Sequence, residues 1–511
     1  MNTAQQRSAK RRLFVTCLLS TVVFVVFCHG YRYLNAAYSG DATLIFQAGE
    51  EAYQISLGRF LQPVWWRIRG VIVMPYLIGL FTAAFLSLSA VLICRMFSLR
   101  KTLHVILVCG ILTASETFGI ANATYLPWSD VYTVALFWAL LGASLSLESG
   151  KRCWLAPIAY LISLGHYQSY IACAAAIIVI RLLRDTLQEP DQLSRIWRCG
   201  LRACLHLLAG LLLYALVLKI ILSVFGITAS GDYNGVGRVG LVSLPELLSL
   251  LRDAWLLPLR FLFNPSDKGI IPWHISMIPT GLNLAFAFMI LLLTFFHRQQ
   301  TLLSRLTVLF LLAILPIASN FVMVISKGVV NGLMIYAWSF LYLIPLVLAA
   351  ISNSPPPLKR ILTAAAAILC CALIFVNVSV CNQIYVKRDL EYDATHAAFT
   401  RILARAEEEE GYVPCETPVV LIGMLPSSPV SMTRSGMDAL SKLQGMRYTY
   451  SASYETSQQW YLSMILGAPL RLAAGAERSA LLKAAPEATS MPAFPADGSI
   501  AMYGGALFIH F

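Results

Sequence analysis

The residues able to do chemistry in this chain sit in a few polar islands between long apolar runs. The first island, from about 31 to 70, carries Asp41, Glu50 and Glu51, followed by Arg59, Arg67 and Arg69. A carboxylate facing a substrate hydroxyl can act as a general base, and burial beneath a loop raises its pKa towards that task. Asp41 fits this role, although its position alone is more plainly read as a solvated loop aspartate capping a helix that starts near Ala42. Arg59, in Gly58-Arg59-Phe60-Leu61-Gln62-Pro63, offers a planar fork of donors for a phosphate. It fits a snorkelling arginine at the lipid headgroups equally well. Arg67 and Arg69 directly precede an apolar run, which favours snorkelling for both.

Asp130, in Trp128-Ser129-Asp130-Val131-Tyr132, either caps a helix or faces a substrate cavity. His166, Tyr167, Gln168 and Tyr170 form another polar group. An interfacial aromatic belt accounts for the tyrosines, whereas a glutamine buried among helices needs a partner. A second long island, from about 226 to 273, holds Asp232, Arg238, Arg252, Arg260 and Lys268 with Trp255, Phe261, Phe263 and Trp273. Lys327 stands where it can hold a phosphate or a lipid head.

The elements that must position these residues are membrane helices. Of 511 residues, 58% are hydrophobic and 13% charged, with a mean hydropathy of +0.70. A soluble domain is nearer half apolar and a quarter charged. The net charge of +12 does not signal nucleic acid, because the basic residues lie between apolar runs, where they orient helices and meet anionic lipid. Apolar stretches of ~20 residues suffice to cross the bilayer, which predicts about eleven spans. They run near 13–30, 71–94, 102–119, 129–147, 153–166, 168–184, 203–226, 274–296, 302–325, 333–352 and 360–381. The spans are nearly free of acids; Glu116 and Lys219 are ionisable residues within them, both expected towards span ends.

Lys10-Arg11-Arg12 before the first run resembles a signal peptide, but the run reads as an uncleaved span with a cytoplasmic N-terminus. The alternate loops then carry Arg95, Arg100 and Lys101; Lys151 and Arg152; Arg181 to Arg202; His297 and Arg298; and Lys359 and Arg360. Every predicted inner loop is basic. Both long islands therefore fall outside, where topology gives no reason for their cations, and an anionic ligand at the outer face is the simplest one. Each island contains an amphipathic stretch, 42–57 and 245–263. Residues 1–381 thus form the transmembrane part. From 382 to 511 the composition suits an outer α/β domain of about 130 residues, with a helix over 389–410, a buried strand at 418–423 and final strands near 500–511.

Several function classes lack their motifs. No GxxxxGK[ST] or HExxH is present, and Gly235 to Gly240 has no Rossmann strand before it. Asn122 and Asn377 begin glycosylation sequons of a kind common by chance. The twelve cysteines lie mostly in apolar runs with no CxxC pair, as apolar fillers do. No pair of carboxylates reads as a divalent-metal site, and no cofactor is expected.

Four patterns together resemble the GtrII-type membrane glucosyltransferases, which modify bacterial surface polysaccharides. They are Ser39-Gly40-Asp41 followed by Gly58-Arg59-Phe60-Leu61; Ser129-Asp130-Val131-Tyr132; Leu164-Gly165-His166-Tyr167-Gln168-Ser169-Tyr170; and Met491-Pro492-Ala493-Phe494-Pro495-Ala496-Asp497-Gly498-Ser499-Ile500. Their order fits nearly the whole chain. Relatives often show two adjacent acids in the first loop, whereas this chain has Gly40 before Asp41. Asp41 is then the direct heir to the catalytic role, with Glu50 and Glu51 as fallbacks. The resemblance implies a GT-C architecture, a polyprenyl-phosphate-linked sugar as donor, and inverting transfer to a glycan acceptor at the outer face of the cytoplasmic membrane. In that reading Arg59, Arg238, Arg260 and Lys327, with Asp130, His166, Tyr167 and Gln168, bind the donor phosphate and substrate. The rival readings are a flippase or exporter of lipid-linked glycans, a polysaccharide polymerase or ligase, and a non-catalytic scaffold. A transporter should carry its ionisable groups near the bilayer midplane.

Overall fold

A computed structural model describes the chain except residues 1–2, 36, 47–48, 72, 231–242, 264–276, 296–300, 353, 426–449, 453–454 and 469, and gives backbone alone at 3–4, 41, 44, 46, 277–279, 295 and 455–456. The protein is a mostly helical membrane protein with a few strands near its C-terminus. The helices are α1 Thr3–Leu34, α2 Glu50–Ser56, α3 Gln62–Arg69, α4 Pro75–Met96, α5 Thr102–Thr113, α6 Glu116–Thr124, α7 Ser129–Leu147, α8 Ala156–His166 and α9 Ile171–Gln188. They continue with α10 Leu193–Phe225, α11 Leu244–Phe263, α12 Met277–Phe295, α13 Leu302–Ser319, α14 Val322–Ile325, α15 Ile344–Ile351, α16 Pro356–Glu408, α17 Glu455–Trp460 and α18 Gly475–Ala484.

Among the described residues, six helices are long and apolar enough to cross a membrane: Gln5–Leu34, Pro75–Met96, Leu126–Leu147, Pro190–Phe225, Leu302–Ser319 and Pro356–Glu408. A seventh candidate is the pair α5 and α6, which meet at a 43° bend. Thr280–Thr294 and Tyr336–Ile351 are shorter apolar helices. Helix also covers the predicted stretches 153–166 and 168–184, as α8 and α9. The expected helix over 389–410 is the end of α16, which runs unbroken for 53 residues.

The chain divides into two compact units, Met1–Leu34 with Glu51–Asn122 and Leu126–Asn382, and Asn35–Glu50 with Ala123–Tyr125 and Gln383–Phe511. The first unit is a helical bundle whose tightest packing uses small residues. Gly142 of α7 and Gly210 of α10 both lie against the Tyr160 side chain of α8, where a Cβ would fall 2.4 Å from the ring and 2.6 Å from the Tyr160 Cβ respectively. Asn122 and Asn377, the two sequon residues, are buried in this bundle.

The second unit contains a four-stranded sheet of order β2-β1-β4-β3, with β1 Pro418–Ile422, β2 Arg471–Leu472, β3 Ile500–Tyr503 and β4 Ala506–His510. Strand β1 pairs parallel with both neighbours and reads as a continuous apolar run, the pattern of a strand covered on both faces. Val419 and Leu421 point into a core with Phe399 and Ile402 of α16, while Val420 points the other way onto Ala485, Ala488 and Met491. Strands β3 and β4 form a hairpin through Gly504 and Gly505. Both have positive φ, 56° and 77°, which a two-residue turn of this hand requires.

Candidate active site

In the first unit, two motifs about a hundred residues apart are fastened to each other through their main chains. The Leu61 amide donates to the Gly165 carbonyl at 2.9 Å, and Gln62 Nε2 donates to the His166 carbonyl at 2.8 Å. Gln168 Nε2 donates to the Leu57 carbonyl at 2.7 Å and to the Tyr214 hydroxyl at 3.0 Å. Tyr214 in turn donates to the Gly58 carbonyl at 3.1 Å. Gly58 has φ +83°, and a Cβ there would fall 2.2 Å from the Tyr214 oxygen and 2.7 Å from Gln168 Nε2. Only glycine satisfies both the backbone and the space. Gln168 thus has the partners that its burial demanded, and it spends its donors on gripping the chain beside Arg59.

The product of this clamp is a fixed guanidinium. Arg59 lies with its central carbon 4.9 Å from the centre of the Tyr167 ring, and its Nη1 donates to Gln54 Oε1 at 3.1 Å. It is half-buried, so the cation–π contact is worth about 1 kcal/mol or somewhat more. Tyr167 also meets the rings of Tyr132 at 4.7 Å and Tyr170 at 5.8 Å, and Tyr170 stacks on Tyr336 at 5.4 Å. Tyr167 and Tyr170 are each only 2% exposed. The interfacial-belt reading of these tyrosines is therefore corrected: stacking beneath a cation draws them into the bundle.

Asp130 and Arg69 form a fully buried ion pair, Arg69 Nη1 to Asp130 Oδ1 at 2.6 Å. Asp130 Oδ2 accepts from Trp65 Nε1 at 2.9 Å, and Oδ1 also accepts from the Val131 amide at 3.0 Å. Arg69 donates as well to the Pro127 carbonyl at 2.9 Å. The snorkelling expected of Arg69 is overturned, because a carboxylate at the start of α7 takes the charge inward. Asp130 lies in the first turn of α7, whose N-cap is Trp128, and through Trp65 and Arg69 it anchors α3 behind the clamp. His166 is buried, with Nδ1 2.8 Å from the Ile162 carbonyl, and its own carbonyl holds Gln62. Arg67 is exposed and pairs with Glu51 at 2.7 Å.

In the second unit, Asp41 opens a 3₁₀ turn, Asp41–Phe46, that packs against α17. Its backbone is placed there, and its side chain lies outside the described residues. Just ahead of it, Ser39 Oγ donates to the Thr124 carbonyl and accepts from the Ala42 amide. Glu50 is buried. The expected amphipathic stretch 42–57 is divided between this turn and α2.

Sequence reasoning passed over three residues of this unit. Lys387 and Arg388 are buried and share the Glu391 carboxylate, Arg388 at 2.5 Å, and Arg388 also donates to the Thr124 hydroxyl at 3.3 Å. Their signal was the same cation excess outside the predicted spans that singled out the loops. Gln458, on α17, is fully buried and among the described residues finds no hydrogen-bond partner for either end of its amide; no sequence pattern marks it. Arg260 is exposed on α11, and Lys327 sits half-exposed with φ +48° in the turn after α14. Among the described residues, neither joins the Arg59 cluster by a hydrogen bond or ion pair. Arg238 lies outside the described residues.

An apolar groove of about 500 Å³ runs between α9, α10 and α13. It is lined by Ile171, Ile178, Trp197, Leu208, Phe310 and Phe321 among others. Ile171 adjoins Tyr170, so the groove starts beside the aromatic floor under Arg59. Among the described residues, no three His, Cys, Asp or Glu side chains are grouped as a metal site.

The family model described as glucosyl transferase GtrII matches residues 30–348. The chain belongs to that family. No curated protein and no solved structure matches it.

Proposed function

We propose that this member of the GtrII glucosyl transferase family moves glucose from a polyprenyl-phosphate donor to a glycan acceptor of the bacterial cell envelope. The reaction runs at the outer face of the cytoplasmic membrane, with inversion at the sugar. The architecture is of GT-C type, with about eleven spans, a cytoplasmic N-terminus and the C-terminal domain of 382–511 outside. The observation that carries the reading is Arg59, a cation that directly follows the Leu57 and Gly58 carbonyls gripped by Gln168 and Tyr214 and whose side chain lies on Tyr167. Holding a donor fork in place before substrate arrives removes reorganisation from the reaction step.

Arg59 receives the donor phosphate, with Arg238, Arg260 and Lys327 as further cations for it. The prenyl tail lies in the groove that starts at Ile171, since a phosphate at Arg59 leaves its chain beside that mouth. Asp41 is the base. Its carboxylate takes the proton of the acceptor hydroxyl as that oxygen attacks the anomeric carbon from the face opposite the phosphate. The bond from the sugar to phosphate oxygen breaks, and its electron pair leaves on the polyprenyl phosphate. Arg59 stabilises the charge that develops there. The donor is already activated, so no nucleotide is consumed. Asp130, His166 and Tyr167 position Arg59 and Gln168.

The test is transfer of labelled glucose from a polyprenyl-phosphate donor by purified protein. Asp41→Asn should lower it by about 10²–10⁴-fold while membrane insertion is unchanged. Transfer by the variant at the wild-type rate would move the base to another acid, Glu50 first. If the wild type transfers nothing but carries a lipid-linked glycan across liposomes, the flippase reading replaces this one.

A further inference from the structure

The bend between α5 and α6 contains a buried acid that the sugar chemistry does not use. Glu116 was expected towards a span end. Instead it follows the 12 residues of α5 and begins the further 9 of α6, roughly 20 Å along the helix path from Thr102. It is 6% exposed, and among the described residues neither carboxylate oxygen has a hydrogen-bond partner. The break itself is well satisfied. The Leu112 carbonyl accepts from the Tyr336 hydroxyl, that of Thr113 faces His29 Nε2 at 3.0 Å, and that of Ala114 accepts from Asn377 Nδ2 at 2.8 Å.

Glu116 lines a small cavity of about 30 Å³ with Ser115, Thr117, Trp338, Ser339 and Asn377. Two further groups on its wall have no hydrogen-bond partner among the described residues: Asn377 Oδ1, an acceptor, and Trp338 Nε1, a donor, on residues 6% and 2% exposed. The Ser115 and Ser339 hydroxyls meet at 3.2 Å and keep spare lone pairs. Among the described residues no basic side chain lines the space. A buried, uncompensated carboxylate in an apolar bundle is costly, and an ionisable group at such depth points to a function.

We propose that this cavity binds one monovalent cation of sodium size, held by Glu116, Asn377 Oδ1 and the two serine hydroxyls. The charge fixes the valence, since one carboxylate cancels one positive charge, and a divalent ion would leave a net charge among apolar helices. The donors are hard oxygens, which suit an alkali cation. The volume fixes the size. A water needs about 10–15 Å³ measured in this way, so the space admits an ion with a single water and excludes a sugar. That water also settles Trp338, accepting from its indole N–H while offering a lone pair to the ion. A cation held at a break in a membrane helix is a known use of such interrupted elements.

Thermal unfolding of the full chain in detergent tests this, with sodium chloride exchanged for choline chloride at constant ionic strength. The expected result is a midpoint that rises and saturates with sodium, an increment that Glu116→Gln abolishes. Asn377→Ala should shift the half-saturating concentration upward by about tenfold or more, the loss of one ligand costing about 1.4 kcal/mol. Equal midpoints of the wild type in sodium and choline would overturn the proposal, as would an increment that Glu116→Gln retains. If that variant does not fold, binding of radioactive sodium to the wild type decides. One saturable site per chain, displaced by unlabelled sodium and not by choline, supports the site, and no saturable binding refutes it.

Discussion

Alanine at position 58 is the sharpest probe of the clamp. The backbone there has φ +83°, and holding a residue with a Cβ in left-handed conformation costs about 1–2 kcal/mol. The new methyl would also fall 2.2 Å from the Tyr214 oxygen, so the phenol must move. It then loses its bond to the Gly58 carbonyl and the one it receives from Gln168, each worth about 1 kcal/mol net. Together these oppose the clamped geometry by about 3–4 kcal/mol. The chain can relieve that strain only by shifting the residues beside it, Arg59 first. Displacement of a positioning group by about 1 Å can cost about 10²-fold in rate. We therefore expect Gly58→Ala to lower kcat/KM for glucose transfer from a polyprenyl-phosphate donor by about 10²-fold, with the protein still monodisperse in detergent. Tyr214→Phe removes the clashing atom and should recover part of the loss when added to Gly58→Ala. Wild-type activity in Gly58→Ala, or a double variant no better than Gly58→Ala alone, would refute the crowding argument.

Two further outcomes follow from the same geometry. Asp130→Asn strands the Arg69 charge in the bundle and should destabilise the protein by about 3–5 kcal/mol. Adding Arg69→Met removes the stranded charge and should restore most of the loss, read as non-additive midpoints in thermal unfolding. Gln458→Leu exchanges an amide with no partner among the described residues for an apolar group of similar size, so in the absence of substrate the unfolding midpoint should stay equal or rise. If Gln458 binds a substrate hydroxyl, glucose transfer should fall in the same variant.

What the sequence made legible was set by how local each signal is. Apolar runs marked helices throughout, and Pro418–Ile422 and the final hairpin stood out because a short buried strand flanked by turn residues has its own pattern. The polar motifs were also visible, since Gly58-Arg59 and His166 to Tyr170 interrupt apolar surroundings. Their mutual contact was not, because the bonds between them use main-chain carbonyls that every residue carries. Tyr214 shows the same limit. One tyrosine in an apolar helix carries no mark of the glycine it will hold a hundred and fifty residues away. Arg69 and the tyrosines beneath Arg59 were read from their place at the ends of apolar runs. Their actual partners, Asp130 and one another, are set by packing that no spacing rule encodes. Glu116 was visible as an acid in a span, while the bend that makes it interior depends on how Tyr336, His29 and Asn377 take up the carbonyls of the break.

The grip on residues 57 and 58 has a consequence for how this site can change over time. Gln168 and Tyr214 hold carbonyl oxygens, and a carbonyl is the same whatever side chain stands next to it. The group displayed at position 59 can therefore be exchanged without dismantling its mount. Evolution, or an engineer, is free to alter what the site recognises there while leaving the scaffold that presents it untouched.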